Sequence, residues 1–202
     1  MNPRSIGRFH AFLVGATIAT SPAFARPAPP EVAPPPRPPL TAIDATDVTL
    51  VGSSRAGLPE IAVEIRGIWH RLELAATEPR RRRGMGGRSV IPRGTGMLFI
   101  HPDEAPRRYW MKDCLVDIDI AYLDRNGVVV AIHRMSAEPP RGDTERLAAY
   151  DARLPRYPSR RGARYALELA AGEMTRLDVR VGRGIGLPVR ALESFHRRSG
   201  GQ

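Results

Sequence analysis

The sequence predicts a mainly β fold of the α+β class: a compact antiparallel β-sandwich or barrel-like domain with one or two short helices. Three observations lead to this prediction. Short segments alternate between apolar and polar residues, as half-buried strands do. The dipeptides Arg66-Gly67 and Asn126-Gly127 separate such segments and are typical of tight hairpin turns. The chain also contains 19 Gly and 20 Pro residues, which disfavour an all-helical fold.

The predicted elements follow one another closely. Thr77-Glu78-Pro79 supplies a capping hydroxyl, an acid and a proline, which is typical of a helix start, and Gly84 keeps that helix short. Residues 136–161 form an irregular insertion with one helical turn near residues 144–150, and a second short helix is expected over residues 172–177. The strand-like segments are Ile61–Ile65, Ile68–Leu74, Gly96–His101, Tyr109–Leu123, Val128–Met135, Arg164–Leu169 and a final turn and strand over Val179–Val189.

The N-terminus has the three parts of a secretory signal peptide. Arg4 and Arg8 precede the apolar run Ala11–Ala19, and Ala23-Phe24-Ala25 satisfies the small-x-small cleavage rule. We therefore expect cleavage after Ala25, export to the periplasm or the exterior, and no transmembrane segment in the mature chain. The predicted organisation is a signal peptide (1–25), a Pro-rich linker and leading segment (26–57), a folded domain (58–190) and a C-terminal tail (191–202).

The chain is strongly basic. It has 31 Lys and Arg residues against 21 Asp and Glu, a net charge of +10, and Lys112 is its single lysine. Such a surface attracts polyanions, so an anionic polymer is one expected partner, whereas an arginine excess alone does not indicate a specific nucleic-acid partner. One cysteine excludes an internal disulfide. Because no spacing typical of a metal or nucleotide site occurs, we expect no cofactor and no metal.

Four motifs follow one another between residues 60 and 190. They are Arg83-Gly84-Met85, Gly96-Met97-Leu98-Phe99, the segment Tyr109 to Cys114 with the Ile118-Asp119-Ile120 string and the Asp124 to Gly127 turn, and the segment Tyr165 to Gly172. In this combination they resemble the bacterial family known as domain of unknown function 192. The resemblance implies a compact, mainly β domain that is often exported, and it implies no established activity. Asp113-Cys114, Asp117 and the long insertion depart from the family pattern.

The motifs also contain the candidate pocket residues, which are Arg83, Met97, Trp110, Met111, Lys112, Asp119 and Glu168. A lysine can act as a base or nucleophile when burial shifts its pKa, or it can pin strands together by pairing with an acid. A half-buried ammonium needs a partner, so we expect a carboxylate beside Lys112, with Asp119 as the first candidate and Glu168 as the second. In a continuous strand, Trp110, Lys112 and Cys114 would share one face.

The other reactive side chains give weaker signals. Cys114 would be a nucleophile if a histidine lowered its pKa, but within an apolar run we expect a small buried hydrophobic residue. The histidines show no ligand spacing and are expected at the surface or at caps: His70, His101, His133 and His196.

Three hypotheses about function remain open at this stage. The first is a non-enzymatic exported domain that binds an envelope ligand or has an accessory role. The second is a small envelope hydrolase or transferase that uses Lys112, Asp119 and Glu168 in a cleft. The third is electrostatic binding of an anionic polymer through Arg80–Arg83 and the Arg156–Arg164 cluster.

Overall fold

The computed structural model describes residues 49–200. The predicted signal peptide, its cleavage site and the proline-rich segment lie outside the described residues. The strands are β1 (Leu50–Ser53), β2 (Pro59–Ile65), β3 (Ile68–Ala75), β4 (Thr95–Tyr109), β5 (Ile118–Leu123), β6 (Val129–Met135) and β7 (Tyr157–Ala170). The helices are α1 (Glu78–Arg83), α2 (Leu147–Arg153), α3 (Glu173–Arg176) and α4 (Val189–Arg198).

All seven strands belong to one sheet with the order β1-β2-β3-β4-β7-β5-β6. The pairs are antiparallel except β3 with β4, which run parallel from Arg71↔Thr95 to Ala75↔Phe99. The parallel pair arises because the chain leaves β3, passes through α1 and residues 84–94, and re-enters the sheet in the same direction. The predicted mainly β class with short helices is confirmed. The strands form an open, mixed sheet, and helices and loops cover it where a sandwich would have a second sheet.

Both predicted hairpins are confirmed. Arg66 and Gly67 have φ values of 51° and 82° and join β2 to β3 with Ile65 paired to Ile68, as a two-residue primed turn requires. The second hairpin joins β5 to β6, and there Gly127 has a φ of 75°. Its turn is held by the Asp124 carboxylate, which accepts the amide hydrogens of Asn126 at 2.8 Å and Val128 at 2.9 Å.

Three sequence predictions are wrong in detail. The strand expected over residues 109–123 is two strands, because β4 ends at Tyr109 and residues 110–117 form a turn in which Asp113 has a φ of 56°. The strand expected near residues 179–189 is a single bridge between Val128 and Gly184. The start of the predicted C-terminal tail lies inside α4, whose Leu192 is buried in the core.

The two faces of the sheet have different environments because strand residues alternate in direction. On one side, here called the aliphatic face, Leu98, Leu167 and other branched residues pack under α3 and α4. On the other, here called the cleft face, Met97 and Phe99 pack under residues 85–91 and 111–114. Among residues 49–200, none of the helices is long and apolar enough to cross a membrane.

Candidate functional site

A cleft of about 1230 Å³, here called the main cleft, opens on the cleft face. It lies between α1, the end of β4 and the turn 110–117. Its cationic lining residues are Arg81, Arg82, Arg83, Arg107, Arg108 and Lys112, its acids are Glu78, Asp113, Asp151 and Glu168, and its aromatic residues are Phe99, His101, Tyr109 and Trp110. Positive charge and aromatic surface therefore share one concavity, which is the usual setting of a ligand site.

The turn 110–117 is held by the core of the cleft face and by α2 of the insertion. Met111 is buried in the core of the cleft face, and Cys114 donates its amide hydrogen to the Met111 carbonyl at 3.2 Å. Asp113 donates its amide hydrogen to the Tyr150 hydroxyl of α2 at 3.0 Å. The turn replaces the predicted strand, but Trp110, Lys112 and Cys114 still line the same cleft.

Lys112 pairs with an acid that the sequence did not single out. Its Nζ lies 2.7 Å from Oδ1 of Asp151 on α2, and both side chains are partly exposed. The ammonium also lies over the Trp110 ring, 5.2 Å from the centroid, and the Arg156 guanidinium lies 4.0 Å from the same centroid. The expected pairing of Lys112 with Asp119 is therefore wrong, because the turn after β4 directs Lys112 toward the insertion.

Asp119, which lies in the third motif, instead binds the backbone at the end of the fourth motif and the start of α3. Its Oδ2 accepts the amide hydrogens of Gly172 at 2.8 Å and Met174 at 3.1 Å, at the start of α3. Its Oδ1 accepts a hydrogen bond from Nε of Arg134 at 3.0 Å. The side chain is almost fully buried, so the three donors compensate a desolvated carboxylate. Asp119 is a structural residue outside the main cleft.

Glu168 is the deepest acid of the main cleft. It projects from β7 between Met97 of β4 and Ile120 of β5, and it is 5% exposed. Within the described part of the chain, no group hydrogen-bonds its carboxyl. Burial raises the pKa of Glu168 from 4.5 to about 8, and the charge of Arg88 offsets this shift only in part. The side chain is therefore mostly a neutral carboxylic acid at pH 7, with a hydrogen to donate.

A row of six paired residues, four of them polar, crosses the cleft face at this level. The paired residues on successive strands are Glu60, Glu73, Met97, Glu168, Ile120 and His133. Met97 thus separates two glutamates. Arg88, from the loop before β4, binds Glu73 at 2.5 Å. Because that guanidinium is engaged by Glu73, Glu168 forms no ion pair with any of residues 49–200.

The arginines of the main cleft are of two kinds. Arg81 is structural, since it donates to the carbonyls of Ala76 at 2.7 Å and Ile100 at 3.0 Å. This finding corrects the hypothesis that the whole Arg80–Arg83 run is available to an anionic polymer. In contrast, Arg83 and Arg108 are exposed and have no ion pair among residues 49–200. Two guanidinium groups from separate elements are thus free to meet an anion.

A second cleft of about 840 Å³, here called the side cleft, adjoins the main one. The two share Arg83, Gly84 and Gly86 at the end of α1. Arg80 faces the side cleft together with Glu73, which is occupied by Arg88. Arg83 is therefore the cation that both concavities have in common.

Burial shifts the pKa of Cys114 and that of His101, the histidine of the main cleft. Burial raises the pKa of Cys114 to about 12, so the thiol stays protonated, as the sequence predicted for a buried hydrophobic residue. Burial and the nearby arginines lower the pKa of His101 to about 3, and its Nε2 lies 3.0 Å from the Tyr109 hydroxyl. The expectation that the histidines lie at the surface or at caps is wrong for His70 and His101, which are buried within strands. His196 lies in the last turn of α4 and is also buried. Among residues 49–200, no group of three His, Cys, Asp or Glu side chains could hold a metal ion.

The main cleft brings together four of the seven candidate residues: Arg83, Trp110, Lys112 and Glu168. Met97 and Met111 lie in the core beneath it, and Asp119 lies elsewhere. Because Asp119 does not join Lys112 and Glu168, the predicted hydrolase trio does not form. Sequence reasoning missed Arg108, Tyr109 and Asp151, of which only Tyr109 carried a signal, as the first residue of its motif.

Comparison with protein families decides the classification. The family model DUF192, described as Uncharacterized ACR, COG1430, matches residues 61–187. The chain belongs to the DUF192 family. The predicted family resemblance is confirmed, and the match covers every residue of the main cleft. No curated protein sequence matches the chain.

Two solved structures resemble this DUF192 domain. One is a protein of unknown function from Novosphingobium aromaticivorans, with 21% identity and a TM-score of 0.55, which covers 68% of this chain and 93% of that protein. At this identity the likeness concerns the fold alone. The other is a candidate transcription regulator from Sinorhizobium meliloti, with 25% identity, a TM-score of 0.47, and coverage of 67% of this chain and 91% of that protein.

We expect Asp119→Asn to destabilise this DUF192 domain by about 2–3 kcal/mol, because the amide cannot accept all three charge-assisted hydrogen bonds. Asp117→Asn is the matched control, since Asp117 is exposed and accepts one backbone amide hydrogen, from Ala137 at 2.8 Å. That variant should change stability by less than about 1 kcal/mol. Urea denaturation at pH 7 measures both values, and equal effects would contradict the assigned role.

We also expect Glu168 to make stability fall as pH rises. Between its usual pKa near 4.5 and its raised pKa near 8, the unfolded chain ionises this group while the folded chain keeps it neutral. The folded state then binds more protons, so the free energy of unfolding decreases by up to about 1.4 kcal/mol per pH unit across that window.

Glu168→Gln removes this ionisation. The free energy of unfolding of the variant, minus that of the natural protein, should therefore increase by about 3–4 kcal/mol from pH 5 to pH 8. Urea denaturation at both pH values measures the difference, and Glu64→Gln, at an exposed position of β2, is the control. A gain as small as that of the control would show that Glu168 ionises normally in the folded protein.

Proposed function

We propose that this DUF192 protein is an exported, non-enzymatic binding domain of the cell envelope, and that its main cleft binds an anionic sugar. The observation that carries the proposal is that Arg83 and Arg108 have no ion pair among residues 49–200 and lie beside an aromatic lining in one cleft. Guanidinium groups suit carboxylate or phosphate ligands. Aromatic rings and hydrogen-bond donors together suit the faces and oxygens of a sugar.

Two features favour binding over catalysis. Lys112 is paired with Asp151 at 2.7 Å and lies beside a tryptophan ring, which is the arrangement of a positioned cation. Asp119, the second acid of the hydrolase hypothesis, binds the start of α3. Glu168 therefore has no second carboxylate of that trio for acid–base chemistry.

The arginine clusters also favour a defined cleft over diffuse polymer binding. Arg156 lies on Trp110 and donates to the carbonyls of Leu154 and Asp151, both at 2.9 Å. Arg164 donates to the His101 carbonyl. These two guanidinium groups are occupied by the protein itself, whereas Arg160 and Arg161 of the same cluster are exposed. Half of the predicted Arg156–Arg164 cluster is thus engaged in the fold, which favours the main cleft as the anion site.

The binding test uses two disaccharides that differ by one lactyl ether group, which carries a carboxylate. We expect N-acetylglucosaminyl-N-acetylmuramic acid to bind at pH 6, and the neutral analogue N,N′-diacetylchitobiose to bind at least tenfold more weakly, because only the acid can pair with the guanidinium groups. Isothermal titration calorimetry, with ligand-observed NMR for weak binding, measures both affinities.

Single substitutions then locate the site. Arg83→Gln and Arg108→Gln should each weaken binding of the acid about tenfold. Arg190→Gln, on the exposed side of α4, makes the same change in charge away from the cleft and should alter the affinity less than twofold. Equal affinity for the two disaccharides, or equal losses in all three variants, would contradict an anion site in the main cleft.

Export is tested separately. We expect the mature protein to begin at Arg26, because the signal peptide has a basic start, an apolar run and a small-x-small site that ends at Ala25. N-terminal sequencing of protein from the periplasm or medium checks this, and Ala25→Tyr should accumulate the precursor. An exported protein that begins at Met1, or a protein retained in the cytoplasm, would refute the cleavage or the export, respectively.

A further inference from the structure

Glu168 differs from every other polar residue of the main cleft. It is more than nine-tenths buried, it lines the cleft, and its carboxyl has no hydrogen-bond partner among the described residues. The remaining acids of the cleft are more exposed, and Asp151 and Glu78 already pair with cations. A buried carboxyl without a partner is unfavourable unless something else satisfies it.

The groups around Glu168 are all committed to other partners. They come from β4, β5, the turn 110–117 and the loop before β4. Tyr109 binds His101 at 3.0 Å, Tyr122 donates to the Tyr157 carbonyl at 2.5 Å, Cys114 donates to the Lys112 carbonyl at 3.6 Å, and Arg88 binds Glu73 at 2.5 Å. The hydrogen of the neutral Glu168 carboxyl is therefore directed to whatever occupies the cleft.

We propose that Glu168 is a ligand-binding residue that, in its neutral form, donates a hydrogen bond to an acceptor oxygen of the ligand in the main cleft. This inference rests on the proposed function and narrows the ligand class. The ligand carries an anionic group for Arg83 and Arg108 and, apart from it, a carbonyl, ether or hydroxyl oxygen that reaches the floor. Loss of the proton removes the donor and places a negative charge beside that oxygen, so the ionised form does not bind.

The consequence is that binding depends on pH through one group. Burial raises the pKa of Glu168 to about 8. The neighbouring groups keep their protonation state between pH 6 and pH 9: the pKa of His101 is lowered to about 3, those of Tyr109, Tyr122 and Cys114 are raised, and arginine stays charged. The ligand carboxylate is also ionised throughout this range. The pH profile of affinity over this range therefore reports Glu168.

The first experiment measures the Kd of N-acetylglucosaminyl-N-acetylmuramic acid from pH 6 to pH 9 by isothermal titration calorimetry. For the natural protein we expect a constant Kd up to about pH 7 and a roughly tenfold weaker one at pH 9. Glu168→Gln keeps a neutral donor at every pH, so its Kd should vary less than twofold over the range. Lys112→Gln is the control for the single lysine of the cleft, and this variant should keep the pH profile of the natural protein.

The second experiment needs no variant. Calorimetry in buffers of different ionisation enthalpy measures protons taken up on binding. We expect close to one proton at pH 9 and close to none at pH 6, since binding selects the neutral carboxyl. If the disaccharide binds at pH 6 but its affinity is flat to pH 9 and no proton is taken up, the role of Glu168 is refuted while the proposed function stands. If it does not bind at pH 6, the proposed function itself fails.

Discussion

The pairing of β7 with β4 on one edge and β5 on the other is the constraint on which the rest of this domain depends. Alternation along β7 sends Leu167 and Leu169 into the aliphatic core and leaves Glu168 on the cleft face. A slip of one residue would exchange them and place the carboxyl among branched side chains. Gly96 fixes this close approach, because a Cβ there would lie 2.5 Å from the Glu168 carbonyl oxygen and from the Leu169 side chain.

The family motifs make physical sense as parts of that register. The position of Asp119 is set by the pairing of β5 with β7, because Ile118 lies opposite Ala170 and the chain then turns at Gly172. The carboxylate is thereby placed to accept the amide hydrogens of Gly172 and Met174. Two motifs that are more than fifty residues apart thus form one capping arrangement on the aliphatic face of the sheet, where α3 packs.

The features that were predictable from sequence are local ones. Strand alternation and the positive φ values at Gly67 and Gly127 act within a few residues, so the hairpins and the mainly β class could be read directly. The turn after Tyr109 was not predictable in this way, because Trp110 to Cys114 continue the alternation that is typical of a strand. The backbone of Asp113 is instead held in the turn by Tyr150 of the insertion. The partner of Lys112 lies in the same insertion, and no local pattern marks a contact that tertiary structure creates. The site was therefore foreseen in its motif residues and missed in its partners.

The net charge of the chain does not show which of its cations are available to a ligand, because some arginines are bonded within the fold. A net charge of +10 suggests a surface for any polyanion, yet Arg81 and Arg164 donate to backbone carbonyls and Arg88 to Glu73. Guanidinium groups that hold the fold are not available to a ligand, because each bond to a carbonyl would first have to break. Within the described part of the chain, the main cleft keeps two cations without an ion pair, Arg83 and Arg108, and one buried acid, Glu168. An unpaired donor at a defined depth selects a ligand by the position of its oxygens, which net charge alone cannot do.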